Sequence, residues 1–576
     1  MITITLNRVA HLNDENIWWK SSVFYQVYPR SFKDSNGDGI GDLPGIISKL
    51  DYLNDGTRDS LGIDAIWFSP FFKSPDYDYG YDVSDYYNID PRYGTMKDFE
   101  QILNQAHSRN IKIVIDLVVN HTSSLHPWFL ESRSSRNNPR RNWYIWADGR
   151  EGNRKPPNNW RNNFFGSAWS WDQKTEQYYL HSFLKEQPDL NWSNPEARQA
   201  IADVIRFWLE RGVDGFRLDV AHLYCKDPRL RDNPGFLQRC SCKRSNQVRL
   251  LDRQLIPNIM RLLSLPELQV KKYNQHQPET HQVLKDFRKI IDSYPVKTSI
   301  GEIMADNPAR AASYYGDNCD ELHMNFYFEL LHCRWKASSF RRCIELWEQA
   351  LPDGAWPAYT FSNHDVKRAI SRYGNDGKED LRARLLMTLL LTLRGTPFIY
   401  YGEEIGMKEA KLKRNQLKDP VGIKWFPFHP GRDGCRTPMQ WDQDENAGFS
   451  SNEPWLPLGP EIFERNVTGQ NKEPHSMLNY TRELIWLRKE LPALLNGSYY
   501  SLTEHIPAEC YCFMRKSEEQ SLIVCLNFSS RRQEISLEWL NEECRIMAST
   551  NPNNNKGFIK TSLKLEGLEG LIIMVA

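Results

Sequence analysis

The chain has 576 residues, too long for one ordinary domain, and two or three domains are expected. Lys plus Arg and Asp plus Glu both number 73, so the formal charge is zero and there is no basic excess with which to hold nucleic acid or an anionic membrane. Its 11 cysteines follow no repeated spacing, which argues against a disulfide framework, and Cys240-Ser241-Cys242 with Cys225 lacks the further ligand that tetrahedral zinc needs.

Residues 1–20 include Asp14 and Glu15 and no apolar core of signal-peptide length. The apolar stretch 385–393 is broken by Thr388 and too short to span a bilayer, so a soluble cytoplasmic protein is the expectation. Residues 23–28 alternate and read as a first strand, 65–69 as a second, and the β-branched run 112–118 as a third. Residues 122–193, rich in Asn, Arg, Pro and Trp, break that rhythm and read as a long insertion. A helix over 195–211 leads into a fourth strand at 215–219. Residues 224–281 are less regular, although 248–268 place apolar residues at helical spacing among arginines. Strands at 298–301, 322–325, 358–361 and 397–400 complete eight, and 477–491 reads as a closing amphipathic helix. From about residue 496 the chain turns to short strands, at 511–514, 521–527 and 571–575. The expectation is an α/β chain: a (β/α)8 barrel over 1–121 and 194–494, an inserted domain over 122–193, and a C-terminal antiparallel β-sandwich over 495–576.

Four carboxylate-bearing segments each end a short apolar run. They are Asp116-Leu117-Val118-Val119-Asn120-His121, Gly215-Phe216-Arg217-Leu218-Asp219, Ser299-Ile300-Gly301-Glu302 and Phe361-Ser362-Asn363-His364-Asp365. A parallel barrel gathers such strand ends at one rim, where its catalytic groups sit. Arg217 and Asp219 are two residues apart and share a face of their strand, and a cation beside a carboxylate favours ionisation. Carboxylates at one rim, with Arg217, His121 and His364 beside them, suit glycosidic bond cleavage by an acid and a nucleophile. The 19 Trp and 26 Tyr fit sugar binding, in which ring faces pack on C–H faces.

From about Trp18 to Trp455 the chain resembles the α-amylase superfamily of retaining α-glycoside hydrolases, and within it the α-glucosidase and oligo-1,6-glucosidase branch. Besides the four segments, the resemblance is carried by Gln187-Pro188-Asp189-Leu190-Asn191, by Asp34-Ser35-Asn36-Gly37-Asp38-Gly39-Ile40-Gly41-Asp42, and by Gly395-Thr396-Pro397-Phe398-Ile399-Tyr400-Tyr401-Gly402-Glu403-Glu404. It implies that the insertion is a lid over the barrel mouth. It also implies an exo-acting α-glucosidase with Asp219 as nucleophile, Glu302 as proton donor and Asp365 as a third acid on sugar hydroxyls. His121 and His364 would donate to hydroxyls at the same subsite, with Asp116 supporting Arg217. Asp78, with either Arg432 or Arg436, would clasp the far hydroxyls of the terminal glucose. Tyr81 would stack on that sugar, and Phe164 would touch it from the lid.

The Asp34–Asp42 loop spaces oxygen side chains at alternate positions, but Gly45 stands where an EF-hand has Glu and a strand, not a helix, precedes it. The resemblance implies a structural Ca²⁺, or Mg²⁺, on Asp34, Asn36, Asp38, Asp42 and the Ile40 carbonyl. The implied substrates are small α-glucosides such as maltose, isomaltose or sucrose, for a monomer or homodimer. Val220, after the nucleophile position, resembles α-1,6 cleavers, whereas residues 227–234 and 431–439 resemble enzymes preferring α-1,4 links. Two other functions share the scaffold. One is glucosyl transfer of the sucrose isomerase or trehalose synthase type, whose Arg-rich loop is not evident at 325–329. The other is a non-catalytic transporter subunit, which would not need Asp219 and Glu302.

Overall fold

The computed structural model describes residues 17–164, 166–235, 269–540, 542–554 and 557–575. The expected helix over 248–268 and the Cys240–Cys242 pair lie outside them. Eight parallel strands form one sheet: Phe24–Val27, Ala65–Phe68, Lys112–Leu117, Gly215–Leu218, Thr298–Gly301, Met324–Asn325, Ala358–Thr360 and Thr396–Tyr400. Each pairs with its sequence neighbour, the first pairs with the eighth, and a single bridge from Phe326 to Ala358 joins the sixth to the seventh. The sheet therefore closes into the expected barrel, with strand ends within two residues of those read from the sequence.

Parallel barrel strands are buried on both faces, which is why they read as nearly continuous apolar runs. Their side chains alternate between two cores. Phe24, Ala65, Trp67, Val114, Ile300, Met324, Ala358 and Phe398 fill the barrel interior. Tyr25, Ile66, Phe68, Ile113, Ile115, Phe216 and Ile399 pack outward against the helices. The same period of two sends the next inward positions, Gln26, Ser69, Asp116, Arg217 and Glu302, to the layer above the apolar plug. Apolar parity thus fixes where the polar residues emerge. The helices begin on conventional caps: Thr95 and Asp98 form a capping box on Met96–Ser108, and the Asn194 side chain caps Pro195–Glu210.

The insertion after the third strand carries a three-stranded antiparallel sheet of Trp146–Ala147, Gln177–Leu180 and Trp169–Asp172. Trp160, Ala168, Trp169, Tyr178 and Leu180 form its own small core. A bridge from His121 to Asp189 ties its end to the barrel, and a second from Tyr144 to Leu190 joins its own two halves. Beneath them Lys226 makes a buried ion pair with Asp189, 2.8 Å apart, and bonds the Asn120 side chain at 2.8 Å.

The C-terminal part has a six-stranded antiparallel sheet, with Ser521–Asn527 between Cys510–Lys516 and Gly570–Val575, and a separate pair formed by Gln533–Ser536 and Ser562–Leu565. Cys510, Cys512, Cys525 and Cys544 lie in its core as small apolar fillers, and all nine cysteines among the described residues are free. No helix among the described residues is long and apolar enough to cross a membrane.

Candidate active site

Arg217 is the hub of the rim. Its Nη1 lies 2.9 Å from both oxygens of Asp116 and 2.7 Å from Asp219 Oδ1, and its Nη2 lies 2.5 Å from Glu302 Oε2. Strand register explains this convergence: Asp116 and Ile300 both stand beside Arg217 on the neighbouring strands, and Glu302 comes two residues after Ile300. Arg217 and Asp116 are almost wholly buried, while the Asp219 and Glu302 side chains keep 6% and 11% exposure towards the barrel mouth.

Three carboxylates share that one guanidinium. Burial pushes Asp219 well above the usual carboxylate range, and Glu302, Asp116 and Asp365 add to the rise against the pull of Arg217. Arg217 favours ionisation of Asp219, as its place two residues away implies, and burial opposes it. Desolvation and like charge together outweigh the guanidinium. Asp116 is also raised, by burial first and against Arg217. Asp116 and Asp219 thus each hold a proton more readily than an isolated carboxylate.

Asp365 stands in the opposite setting. Burial pushes its pKa up, but His364, Arg432, Arg436 and Arg217 together hold it below the usual range. His364 is itself driven down to about 3 by burial, so near neutral pH the two nearby arginines keep Asp365 ionised. Asp365 Oδ1 lies 3.2 Å from Arg432 Nη1 and 3.0 Å from Arg436 Nη2.

The two arginines have different tasks. Arg432 Nη2 lies 2.6 Å from Asp78 Oδ1 and 2.7 Å from Asp419 Oδ1. Arg436 is fully buried, with its Nε donating to the His364 carbonyl at 2.7 Å. Arg432 is thus the one that meets Asp78, and Arg436 braces the Asp365 loop from behind. Phe164 reaches the same place from the insertion, with the Arg432 guanidinium 5.4 Å from its ring centre. Asp419, which the sequence reading missed, orients Arg432 from the residue before the helix Pro420–Trp425 and also accepts the Arg432 backbone N–H at 2.8 Å. Its only sequence signal was an Asp before a Pro, a helix start without an assigned partner.

Tyr81 and both histidines are held by protein groups. The Tyr81 ring stacks on His364 at 5.3 Å and 5°, and its hydroxyl lies 2.5 Å from His364 Nε2 and donates to Asp116 at 3.2 Å. His364 Nδ1 faces the Gln26 amide at 2.8 Å. His121 faces the Tyr81 carbonyl at 2.9 Å, and the amides of Gln187 and Asn120 at 3.1 Å each. Gln187 also bonds Asp78 Oδ2 at 3.2 Å and so joins the end of the insertion to the Asp78–Arg432 pair.

The Asp34–Asp42 loop follows the C-terminal end of the first strand and closes largely through its own backbone. Asp34 accepts from the N–H groups of Asn36, Gly37 and Gly39 and from the Ser450 hydroxyl, while Asp42 accepts from Ser35 and Gly45. Gly39 has φ +86°, and a Cβ there would come 2.3 Å from the Glu453 carbonyl, so only glycine fits. The donors are all oxygen, as a hard cation requires. Among the described residues no three His, Cys, Asp or Glu side chains converge as a metal cluster, so an ion here would lean on Asn36 and the Ile40 carbonyl.

Known proteins resemble the chain throughout. A probable α-glucosidase of Rhizobium meliloti is 43% identical over 504 residues, covering 86% of this chain and 87% of that protein. The oligo-1,6-glucosidase of Parageobacillus thermoglucosidasius is 39% identical, covering 90% and 91%. Among solved structures, the α-glucosyl transfer enzyme XgtA superposes with a TM-score of 0.87 at 41% identity, covering 98% of this chain and 100% of that one. The isomaltulose synthase SmuA of Protaminobacter rubrum superposes at 0.83 with 35% identity, covering 97% and 99%. Residues 26–497 match the family model of the α-amylase catalytic domain, and the chain belongs to that family.

Proposed function

We propose that the protein is a retaining, exo-acting α-glucosidase that removes terminal glucose from short oligosaccharides by double displacement. The observation that carries this reading is the pair Asp219 and Glu302, held on the two terminal nitrogens of one guanidinium. Such a short tether favours the separation of a retaining pair, about 5–5.5 Å, over the wider gap that an inverting enzyme needs for its water.

Asp219 attacks the anomeric carbon while Glu302 gives its proton to the leaving oxygen. Water, deprotonated by Glu302, then releases the sugar with its configuration retained. An ionised Asp219 is required for attack, and positive charge developing on the sugar beside it favours that form. Asp365, held ionised by Arg432 and Arg436, accepts from sugar hydroxyls. Arg432 and Asp78 bind the far hydroxyls and close the end of the pocket, so that one glucose fits beyond the scissile bond. The names of the relatives support action on α-glucosides and leave α-1,4 and α-1,6 links both open.

A second reading, glucosyl transfer to another sugar, is favoured by the likeness to XgtA and SmuA. Product analysis on maltose, isomaltose and sucrose tests both. Free glucose in excess, α-anomer first by proton NMR, is the expected result. Isomerised or lengthened sugars as main products would establish transfer, and a β-anomer appearing first would reject the covalent route.

A further inference from the structure

The chain makes an unusual turn directly after Asp219. Val220 has φ 37° and ψ 43°, in the left-handed region, and the short 3-10 helix Ala221–Leu223 follows. Positive φ is a genuine outlier for a β-branched side chain. Among the described residues two such side chains adopt it, Val220 and Val296, and only Val220 is buried, at 7% against 54%. Glycine or asparagine would make the same turn without that cost. Strain kept in a packed site persists because the surroundings over-determine it, and such sites are commonly functional.

What the turn accomplishes is visible at Glu302. In an extended strand successive N–H groups point to opposite sides; in a left-handed turn they point the same way. The Val220 N–H meets Glu302 Oε2 at 3.0 Å, and the Ala221 N–H meets the Glu302 carbonyl at 3.2 Å. His222 Nδ1 lies 3.4 Å from that carbonyl, and the Glu302 N–H donates to the Leu218 carbonyl at 3.0 Å. Residues 218–222, which carry the proposed nucleophile, thus grip the proposed acid by its amide, its carbonyl and one carboxylate oxygen. Arg217 reaches the same oxygen, so both donors occupy Oε2 and Oε1 is left for the transferable proton.

We infer that the left-handed backbone at Val220 is a positioning device that fixes the rotamer of Glu302 and selects Oε1 as the proton-carrying oxygen. This rests on the reading of Glu302 as acid and base. Val220 is then a positioning residue that acts through its backbone, apart from any contact of its side chain with the leaving sugar.

The test separates acid assistance from everything else. Maltose needs a proton on its leaving oxygen, whereas α-glucosyl fluoride departs with little help. Val220→Gly keeps the N–H but frees the backbone. It should lower kcat/KM for maltose by about tenfold or more while α-glucosyl fluoride changes by less than about threefold, part of the ~10²–10⁴-fold that a placed acid supplies. The basic limb of the pH profile should move as well. Val220→Thr, still β-branched, should keep the wild-type ratio of the two substrates. Val220→Ala, which loses the side chain whose packing holds the left-handed turn, should separate the two substrates in the same way and serves if the glycine variant does not fold. Equal slowing of both substrates with an unmoved basic limb would overturn the inference. Glu302→Gln is the control. If it too fails to discriminate between the substrates, the assignment of Glu302 is wrong; if it discriminates and Val220→Gly does not, only the role of Val220 fails.

Discussion

Replacing Arg432 by Ala probes the clasp. Arg432 is 14% exposed and bonds Asp78 and Asp419, which are 4% and 0% exposed, and more loosely Asp365. Breaking a buried ion pair costs about 3–5 kcal/mol because a charge is left behind. Here the lower end is expected, since Asp78 keeps Gln187, Asp419 keeps the backbone N–H of residue 432, and Asp365 keeps Arg436. The melting temperature should therefore fall without loss of the fold. In catalysis, one charge-assisted hydrogen bond to a sugar hydroxyl is worth about 1.5–3 kcal/mol, so kcat/KM for maltose should fall ~10- to 150-fold. Opening the blind end should also raise the rate on maltotetraose relative to maltose. Arg432→Lys keeps the charge without the fork and should fall between. Arg436→Ala removes a wholly buried brace and should cost stability while leaving the chain-length ratio unchanged. The assays are initial rates on a maltooligosaccharide series and thermal melts. An Arg432→Ala enzyme that keeps maltose turnover within about threefold and an unaltered length preference would refute the clasp.

The other predictions concern stability. His126 and His364 are buried and both lowered to about 3, by burial first. Their folded values lie below the unfolded value of about 6.5, so the unfolded chain binds these protons first; the stability is full above pH ~6.5 and is lost as pH falls towards ~3. The His126 ring caps the helix Pro127–Ser132 by accepting the Trp128 N–H, so His126→Asn should keep the cap and flatten the fall in melting temperature between pH 6.5 and 4. A profile as steep as wild type would contradict this. We further propose that the Asp34–Asp42 loop holds one Ca²⁺ or Mg²⁺ in a structural role. A ligand bound by the native state alone stabilises it by mass action, so EDTA should lower the melting temperature and Ca²⁺ should restore it. No bound metal and an unchanged melt would reduce the loop to a turn.

Much of the site was legible because the barrel imposes parity. Once 215–219 is a strand, Arg217 and Asp219 must share the inward face, and apolar neighbours of the same parity confirm which face that is. Asp116 beside Arg217 follows from register alone. What escaped the sequence were pairings that no period links. Arg432 and Arg436 are both arginines in one motif, and only the three-dimensional path of residues 419–432 sends one to Asp78 and the other behind Asp365. Asp419 and Lys226 act across loops, as a brace for Arg432 and as a buried tie between Asn120 and Asp189. The burial that opposes Arg217 at Asp219 was not legible, because a sequence shows the neighbouring cation but not the depth at which the carboxylate lies. The left-handed turn at Val220 could not be read, because valine is the residue type least suggestive of it. Glu403 and Glu404, part of the motif ending the eighth strand, point away from the rim: Glu403 accepts from Ser362 and Glu404 from Tyr25 and Tyr52.

In the proposed mechanism Asp219 forms a covalent glucosyl intermediate in a site where Glu302 supplies and recovers the proton. Mass spectrometry of Glu302→Gln, quenched during turnover of α-glucosyl fluoride and then digested, tests it most directly. With activated departure and no base to direct water, a single glucosyl unit should accumulate on the peptide containing Asp219. It should be absent when Asp219→Ala is added. A glucosyl adduct on another carboxylate, or rapid turnover with no adduct and release of the β-anomer, would contradict the account.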